Sequence, residues 1–384
     1  MLTVGLISAG LYLLLLLLKA YLSLRYATQM NQNIIAFREP LNLTILQPIL
    51  SGDPLLESCL VHNLKTVSKE VQFIYLIDED DGVALELTKR LAEAYSSVKL
   101  VVCPSVPQNL NPKVFKLAYG FPYVTTSLLA VLDDDTCLSA DSLQQAQKYL
   151  NDAELYTGLP HYAPGKNFWS SLLAHFVNNN SVLTYLPILA FTRAFSLNGM
   201  FYVLKRETLV NIGGFEAVQH QLTDDYAVAK LIREHRGTIV QGITTQSVQT
   251  TVKDFRHYVR LMHRWFLFAS WQINEQKNRL KVLLLVFLVV PTLLFFLSLV
   301  SLLTSSLGIG VLLVVMLIRF LILKNIQEKI LGYTVGFSFI LSTLSECLQP
   351  FHMLHAVLIK QITWRKRRIG IEPDGRFSYL EDVP

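Results

Sequence analysis

Residues 128 to 135 read "LLAVLDDD": five apolar residues run straight into three consecutive carboxylates, Asp133, Asp134 and Asp135. Crowded like charges repel, so they are tolerated where water or a cation meets them. The stretch therefore reads as a buried strand that ends at a wet or liganded edge. Working outward, "LTILQPIL" (43 to 50), "VQFIYLID" (71 to 78) and "VKLVVC" (98 to 103) are further apolar runs of strand length. Helical periodicity fills the gaps, in "LLESCLVHNLKTV" (55 to 67) and "VALELTKRLAEAY" (83 to 95). Strands separated by crossover helices predict an α/β fold around a doubly wound, mostly parallel sheet. Ligands of such sheets bind at the carboxyl ends of the strands. Asp78 closes the second run and the triple aspartate closes the fourth, both at that edge.

The rest of the chain is of another kind. Of its 384 residues 52% are hydrophobic, and the excess over a soluble domain is concentrated locally. Residues 2 to 18, 282 to 304 and 306 to 318 carry no charge. About 20 apolar residues cross a bilayer, so the first two stretches read as spans, and the third is long enough with Leu321 and Ile322 included. The first lacks a basic leader and a small-residue cleavage site, which favours an uncleaved anchor. Lys19, Arg25 and Arg38 follow it, and Arg256, Arg260, Arg264, Lys277, Arg279 and Lys281 precede the second span. By the positive-inside rule, residues 25 to 281 are expected in the cytoplasm, with "WRKRRIG" (364 to 370) holding the tail there. The expected order is an anchor (1–24), a catalytic domain (40–250), an amphipathic interfacial helix (251–281), membrane helices (282–361) and a cytoplasmic tail (362–384). Residues 331 to 361 read as a re-entrant pair of short helices or as an amphipathic surface element.

The net charge of +5 gathers beside the apolar segments, which suits an anionic lipid surface and not a nucleic acid. Four scattered cysteines, Cys59, Cys103, Cys137 and Cys347, carry no metal-ligand spacing and fit a reducing compartment without disulfides. No pair among the nine histidines has ligand spacing, and His263 reads as a helix-face residue.

In an extended "DDD", Asp133 and Asp135 would share one face and Asp134 the other. Such a pair offers oxygen donors to Mg²⁺ or Mn²⁺, which keeps open positions for phosphates. The same residues also read as a solvated turn capping a helix at "SADSL". "TDD" (223 to 225) opens the helix "DYAVAKLIREH", where Thr223 or Asp224 can cap backbone amides. Asn198 and Gly199 allow a close backbone approach, while Gly213 and Gly214 read as a helix exit and turn.

"VLDDDT", "SLNGMFYVLKRETLVNIGGF" (196 to 215), "QLTDDYAVAKLI" (221 to 232) and "RLMHRW" (260 to 265) stand in the order seen in membrane glycosyltransferases of GT-A fold. With "LIDEDDGVA" (76 to 84), "NPKVFKLAYG" (111 to 120) and "ITWRKRRIGIEPDGR" (362 to 376), the chain resembles the ceramide glucosyltransferase family, glycosyltransferase family 21, and its bacterial relatives. The resemblance implies Asp78 near the nucleotide base or ribose and Lys113 near the diphosphate. It implies Asp133 and Asp135 on a metal–diphosphate, with Mg²⁺ or Mn²⁺ as cofactor, and Asp225 as the base. It sets Arg264 against the leaving diphosphate and Trp265 toward the acceptor, with Asn198 and Gly199 by the sugar. One position departs from the family pattern: Leu261 stands where Arg or Gln is expected, with Arg260 one step earlier.

One base and a stabilised diphosphate suffice for single displacement with inversion. A covalent route needs a second carboxylate near the sugar, and the sequence offers none. The expected enzyme moves a hexose from a nucleotide sugar, a UDP-hexose, to the hydroxyl of a membrane lipid such as ceramide. The rivals are a processive polysaccharide synthase and a non-catalytic membrane scaffold. Survival of Asp133, Asp135, Asp225 and Arg264 argues against the scaffold.

Overall fold

The computed structural model describes residues 1–32, 40–332, 338–364, 367–371 and 375–382. The chain opens with α1 (Leu2–Gln32), then β1 (Leu43–Ile49), α2 (Leu56–Thr66), β2 (Gln72–Asp78), α3 (Gly82–Ala94), β3 (Val98–Cys103) and α4 (Pro112–Gly120). Next come β4 (Leu128–Leu132), β5 (Thr136–Leu138), α5 (Ser142–Tyr149), β6 (Leu155–Tyr162), α6 (Phe168–Tyr185), β7 (Phe201–Lys205), α7 (Arg206–Asn211), α8 (Asp224–Glu234) and β8 (Ile239–Val248). The remainder is α9 (Phe255–Glu275), α10 (Asn278–Leu284), α11 (Val290–Leu302), α12 (Ser306–Ile326), α13 (Phe339–Leu358), β9 (Gln361–Trp364), β10 (Arg367–Ile371) and β11 (Phe377–Asp382). These form two compact units: residues 1–33, 161–192 and 252–360, and residues 34–160, 193–251 and 361–384.

The second unit holds an eight-stranded sheet in the order β3-β2-β1-β4-β7-β6-β8-β5. β1 pairs in parallel with both β2 and β4, and β2 with β3, as the crossover pattern predicts. Beyond β4 the sheet turns antiparallel, through β7 and then β6. Central parallel strands are covered on both faces and so read as unbroken apolar runs; all seven residues of β1 are buried. Side chains still alternate. Ile45, Phe73 and Tyr75 join the core beneath α2, α3 and α5, while Leu46, Ile74 and Leu76 join the one beneath α4, α7 and α8. Gly213 and Gly214 take positive φ at the end of α7, as a helix-exit turn requires.

The triple aspartate is not extended. β4 stops at Leu132, and the chain turns, with Thr136 N donating to the carbonyl of Asp133 at 3.2 Å, before resuming as β5. The face-sharing expected of an extended "DDD" therefore does not apply; each acid is aimed by the turn. That turn is held from α2. Asn63, fully buried, donates from Nδ2 to the carbonyl of Thr136 (2.8 Å) and accepts from Leu138 N (2.9 Å).

The first unit is helical. Among the described residues three stretches are long and apolar enough to cross a membrane: Leu2–Asn31, Asn278–Leu302 and Ser306–Leu331. Lys19 on α1 donates to the carbonyl of Phe287 at 2.9 Å, and Tyr12 packs on Phe295 with ring centroids 5.2 Å apart. That carbonyl lies in a π-helical turn, Leu285–Val289, just before Pro291. A proline inside a helix cannot donate its i→i−4 bond, and the local widening accommodates it. Residues 339–358 form one 20-residue helix, α13, started by Ser338 Oγ accepting from Leu341 N, and not a pair of short helices. Residues 333–337 of the expected re-entrant stretch lie outside the described residues. The amphipathic helix expected over 252–271 is α9, begun at Asp254, whose side chain accepts from His257 N at 2.7 Å.

Asn63→Leu should destabilise the protein by about 1–3 kcal/mol, because it strands the buried amide of Leu138 and carbonyl of Thr136. Thermal unfolding of the detergent-solubilised protein should show the loss; an unchanged midpoint would mean that α2 does not hold the turn.

Candidate active site

In the second unit Asp133, Asp224 and the carbonyl of Gly199 meet around one ammonium group, that of Lys113. Lys113 Nζ lies 2.6 Å from Asp133 Oδ1 and 3.8 Å from Asp224 Oδ2, and donates to the carbonyl of Gly199 at 2.8 Å. Three loops thus converge: the end of β4, the approach to β7 and the start of α8. Burial alone would depress the Lys113 pKa; Asp133 and Asp224 outweigh it and hold it well above the ordinary lysine value.

Lys113 is aimed by its own helix start. Asn111 caps α4, its Oδ1 accepting from Lys113 N at 3.0 Å and Val114 N at 3.4 Å. Its Nδ2 donates to the carbonyl of Gln221 (3.0 Å), and its backbone N donates to that of Gln219 (2.8 Å). One capping residue therefore ties α4 to the loop that presents Asp224 and Asp225.

Asp225 Oδ1 accepts from Tyr226 N at 2.7 Å. Burial, then the neighbouring Asp224, push its pKa up to about 7. Asp224 is raised too, chiefly by burial, and its Oδ2 has no hydrogen-bond partner among the described residues. The expected cap differs: Thr223 occupies the N-cap position but makes no side-chain cap bond, and its hydroxyl is buried without a hydrogen-bond partner among the described residues. The φ and ψ of Thr223, −98° and 77°, do not turn the hydroxyl onto the helix amides. A Cβ on Gly199 would stand 3.0 Å from Asp225 Cβ and 3.1 Å from its Oδ2, so only glycine leaves that carboxylate its space. Asn198 is buried, and its Oδ1 accepts from Met200 N at 3.1 Å to shape this turn.

Asp135 faces a second set of groups. Its carboxylate accepts from Thr250 Oγ1 and, at 3.2 Å, from Thr136 Oγ1. Burial, then Asp133, raise its pKa to about 6. Asp134 accepts from Leu50 N at 2.7 Å, and burial, then Asp135, raise it to about 7. Asp133 and Asp135 offer hard oxygen donors of the kind a divalent cation takes. No three His, Cys, Asp or Glu side chains converge as a ready cage among the described residues, so a metal held there would need further ligands from a diphosphate and water.

Asp78 belongs to a separate pair. Lys116 Nζ lies 3.1 Å from Asp78 Oδ2 and donates to the carbonyl of Ile49 at 2.9 Å, while Asp78 Oδ1 is buried without a hydrogen-bond partner among the described residues. Sequence reasoning passed over Lys116. Its signal was the i,i+3 spacing from Lys113, which sets both ammonium groups on one side of α4 beneath two acid-ended strands. It also missed Asp53, which accepts from Thr251 N at 2.8 Å and Thr251 Oγ1 at 3.0 Å, beside the Thr250 that holds Asp135.

Arg264 and Trp265 lie on α9 in the first unit. Trp265 stacks on Phe176 (6.4 Å between centroids) and meets Tyr162 edge-on at 6.0 Å. His263 is buried against His355, centroids 4.3 Å apart. Arg260 is exposed.

A strand-end acid cluster, a half-buried acid pair at a helix start and an Arg-Trp helix occur here along one chain. The sequence pattern of Glycosyl transferase family 21 matches residues 6–377. The chain belongs to that family. Over 122 residues it is 26% identical to the ceramide glucosyltransferase of Candida albicans (strain SC5314), a match spanning 28% of this chain and 22% of that protein. Among solved structures it is similar to the mannosyltransferase PcManGT from Pyrobaculum calidifontis, determined in complex with GDP-Man and Mn²⁺. The TM-score is 0.54 at 15% identity, covering 93% of this chain and 97% of that one. That likeness shows the GT-A fold. This family 21 chain is therefore a glycosyltransferase with helices that could span a membrane.

Gly199→Ala should leave folding intact and lower transfer several-fold, since the added methyl would push the Asp225 carboxylate by a few tenths of an ångström and even small misplacements in a reacting site cost rate. Steady-state transfer with a circular-dichroism control checks this; wild-type turnover would mean that Asp225 needs no space at Gly199.

Proposed function

We propose that the protein is an inverting hexosyltransferase that moves a hexose from a UDP-sugar to the hydroxyl of a membrane lipid, ceramide or a similar amphiphile. The observation that carries this reading is Asp225: a half-buried carboxylate at a helix start, raised to about 7, facing the gap that Gly199 leaves. A general base works best with a pKa near the operating pH. Asp225 takes the proton of the acceptor hydroxyl as its oxygen attacks the anomeric carbon, and the nucleoside diphosphate leaves from the opposite side. The acceptor oxygen gains the glycosidic bond, the carbon–phosphate oxygen bond breaks, and the configuration inverts.

Asp133 and Asp135 would hold Mg²⁺ or Mn²⁺, which supplies Lewis-acid stabilisation to a diphosphate leaving group. Lys113, already charged and fixed by Asp133 and Asp224, adds a protein cation at the same edge. Asp78, oriented by Lys116, faces the nucleoside end of the donor. Arg264 serves the leaving diphosphate and Trp265 the acceptor. The lipid reading is supported by family membership and by three helices long and apolar enough to cross a bilayer. The basic residues beside those helices favour a cytoplasmic catalytic unit.

Asp225→Asn should bind UDP as the wild type does and lose about 10²–10⁴ in transfer rate. A variant within a few-fold of wild type would move the base to Asp224. The wild-type rate should also rise with pH up to about 7, because only the ionised Asp225 accepts a proton. A flat profile down to pH 5 would contradict that. EDTA should abolish transfer, with activity restored by Mn²⁺ or Mg²⁺; full turnover in EDTA would remove the metal. Mass spectrometry of the product lipid should show one added hexose at long times, whereas a ladder of hexose units would favour a polysaccharide synthase.

A further inference from the structure

Helix α13 is built inside out. Its buried face is polar, with Ser342, Ser345, Glu346, Gln349 and His352 recurring at helical spacing. Its outer face is apolar: Ile340 is 74% exposed, Phe351 56%, Leu354 55% and Leu358 71%. A surface helix in water has the opposite arrangement. The inward polar groups are met within the first unit. Arg319 Nη2 pairs with Glu346 Oε2 at 2.9 Å, and Nη1 donates to Ser342 Oγ at 2.9 Å. Asn179 Nδ2 donates to Ser342 Oγ at 3.0 Å, Thr292 Oγ1 donates to Gln349 Oε1 at 3.1 Å, and Tyr258 OH lies 3.3 Å from His352 Nε2.

Two of these partners belong to stretches that can cross a membrane. Arg319 is in Ser306–Leu331 and only 2% exposed, and Thr292 is in Asn278–Leu302. Charged groups inside a bilayer face the helix bundle and pair there, so α13 shares the spans' solvent. Its outward residues match the exposed Leu313, Leu317 and Leu321 of α12, which have only acyl chains to meet.

Counting crossings fixes the ends. Residues 34–160, 193–251 and 361–384 form one unit, which lies on one side of a bilayer. Leaving that side through Asn278–Leu302 and returning through Ser306–Leu331, the chain is back on it before α13 starts. It rejoins the catalytic unit directly after α13. Yet 20 residues at 1.5 Å each give a helix of about 30 Å, long enough to cross.

We propose that α13 is embedded in the bilayer without crossing it, entering and leaving on the catalytic side. Its apolar face lies against lipid acyl chains and its polar face is clasped by Arg319. This stands apart from which sugar or acceptor the enzyme uses.

The full-length protein in lipid nanodiscs, spin-labelled at Ile340→Cys, Leu354→Cys or Leu358→Cys, tests it. Each label should relax faster with oxygen, which partitions into lipid, than with a water-soluble nickel chelate. A label at Val83→Cys, on exposed α3 of the catalytic unit, should show the reverse. In sealed vesicles, Lys329→Cys, Lys360→Cys and Val83→Cys should all react with an impermeant maleimide from the same face. Nickel-dominated relaxation at Leu354 and Leu358 would put that face in water, and opposite-face reactivity of Lys329 and Lys360 would make α13 a crossing helix. Either result overturns the proposal.

Discussion

The catalytic unit depends on the ammonium of Lys113. Without it, Asp133 and Asp224 would be two carboxylates forced together in a poorly hydrated pocket. With it, the end of β4, the turn before β7 and the first residue of α8 are fixed to one point. Removing one partner of a fully buried pair costs about 3–5 kcal/mol; the Lys113 side chain is 21% exposed, which lowers the figure here. The arrangement is also uneven. Asp133 takes the short contact, Asp224 the long one, and Asp225 has no direct share in the cation. Asp224 and Asp225 both keep a raised proton affinity, set first by burial, and the cation offsets it only in part.

Much of this could be read before any coordinates. The parallel half of the sheet followed from apolar runs interleaved with 3.6-residue periodicity, because strands buried on both faces are mostly apolar; the few polar residues there, such as Gln47, are hydrogen-bonded. The positions of Asp78 and Asp133 followed from the rule that strand ends carry ligands. The antiparallel half was less legible: β7 and β6 join β4 through pairings distant in sequence, and no local pattern encodes which edge a later strand will choose. Family resemblance marked Lys113, Asp225 and the Arg-Trp pair, which periodicity alone would have left as ordinary helix residues.

Where the reading erred, backbone detail was the cause. Three aspartates in a row look extended on paper, yet the bond from Thr136 N to the carbonyl of Asp133 bends them into a turn. Asn63 then enforces that turn from a neighbouring helix, and nothing in its own sequence context announces the task. Likewise, hydropathy averages over both faces of a helix. In α13 the average cannot show that the polar residues face inward and the apolar ones outward.

The small sheet at the end of the chain bears on the acid pair. β10 and β11 pair there, and in the same segment Gly375 accepts from Leu222 N at 3.2 Å while Arg376 bridges to Gln221, just ahead of Thr223 and the acid pair. The loop that presents Asp225 is therefore completed by residues synthesised some 150 positions later. The brace on that loop therefore depends on the far end of the chain, with every helix from α9 to α13 lying between the two in sequence.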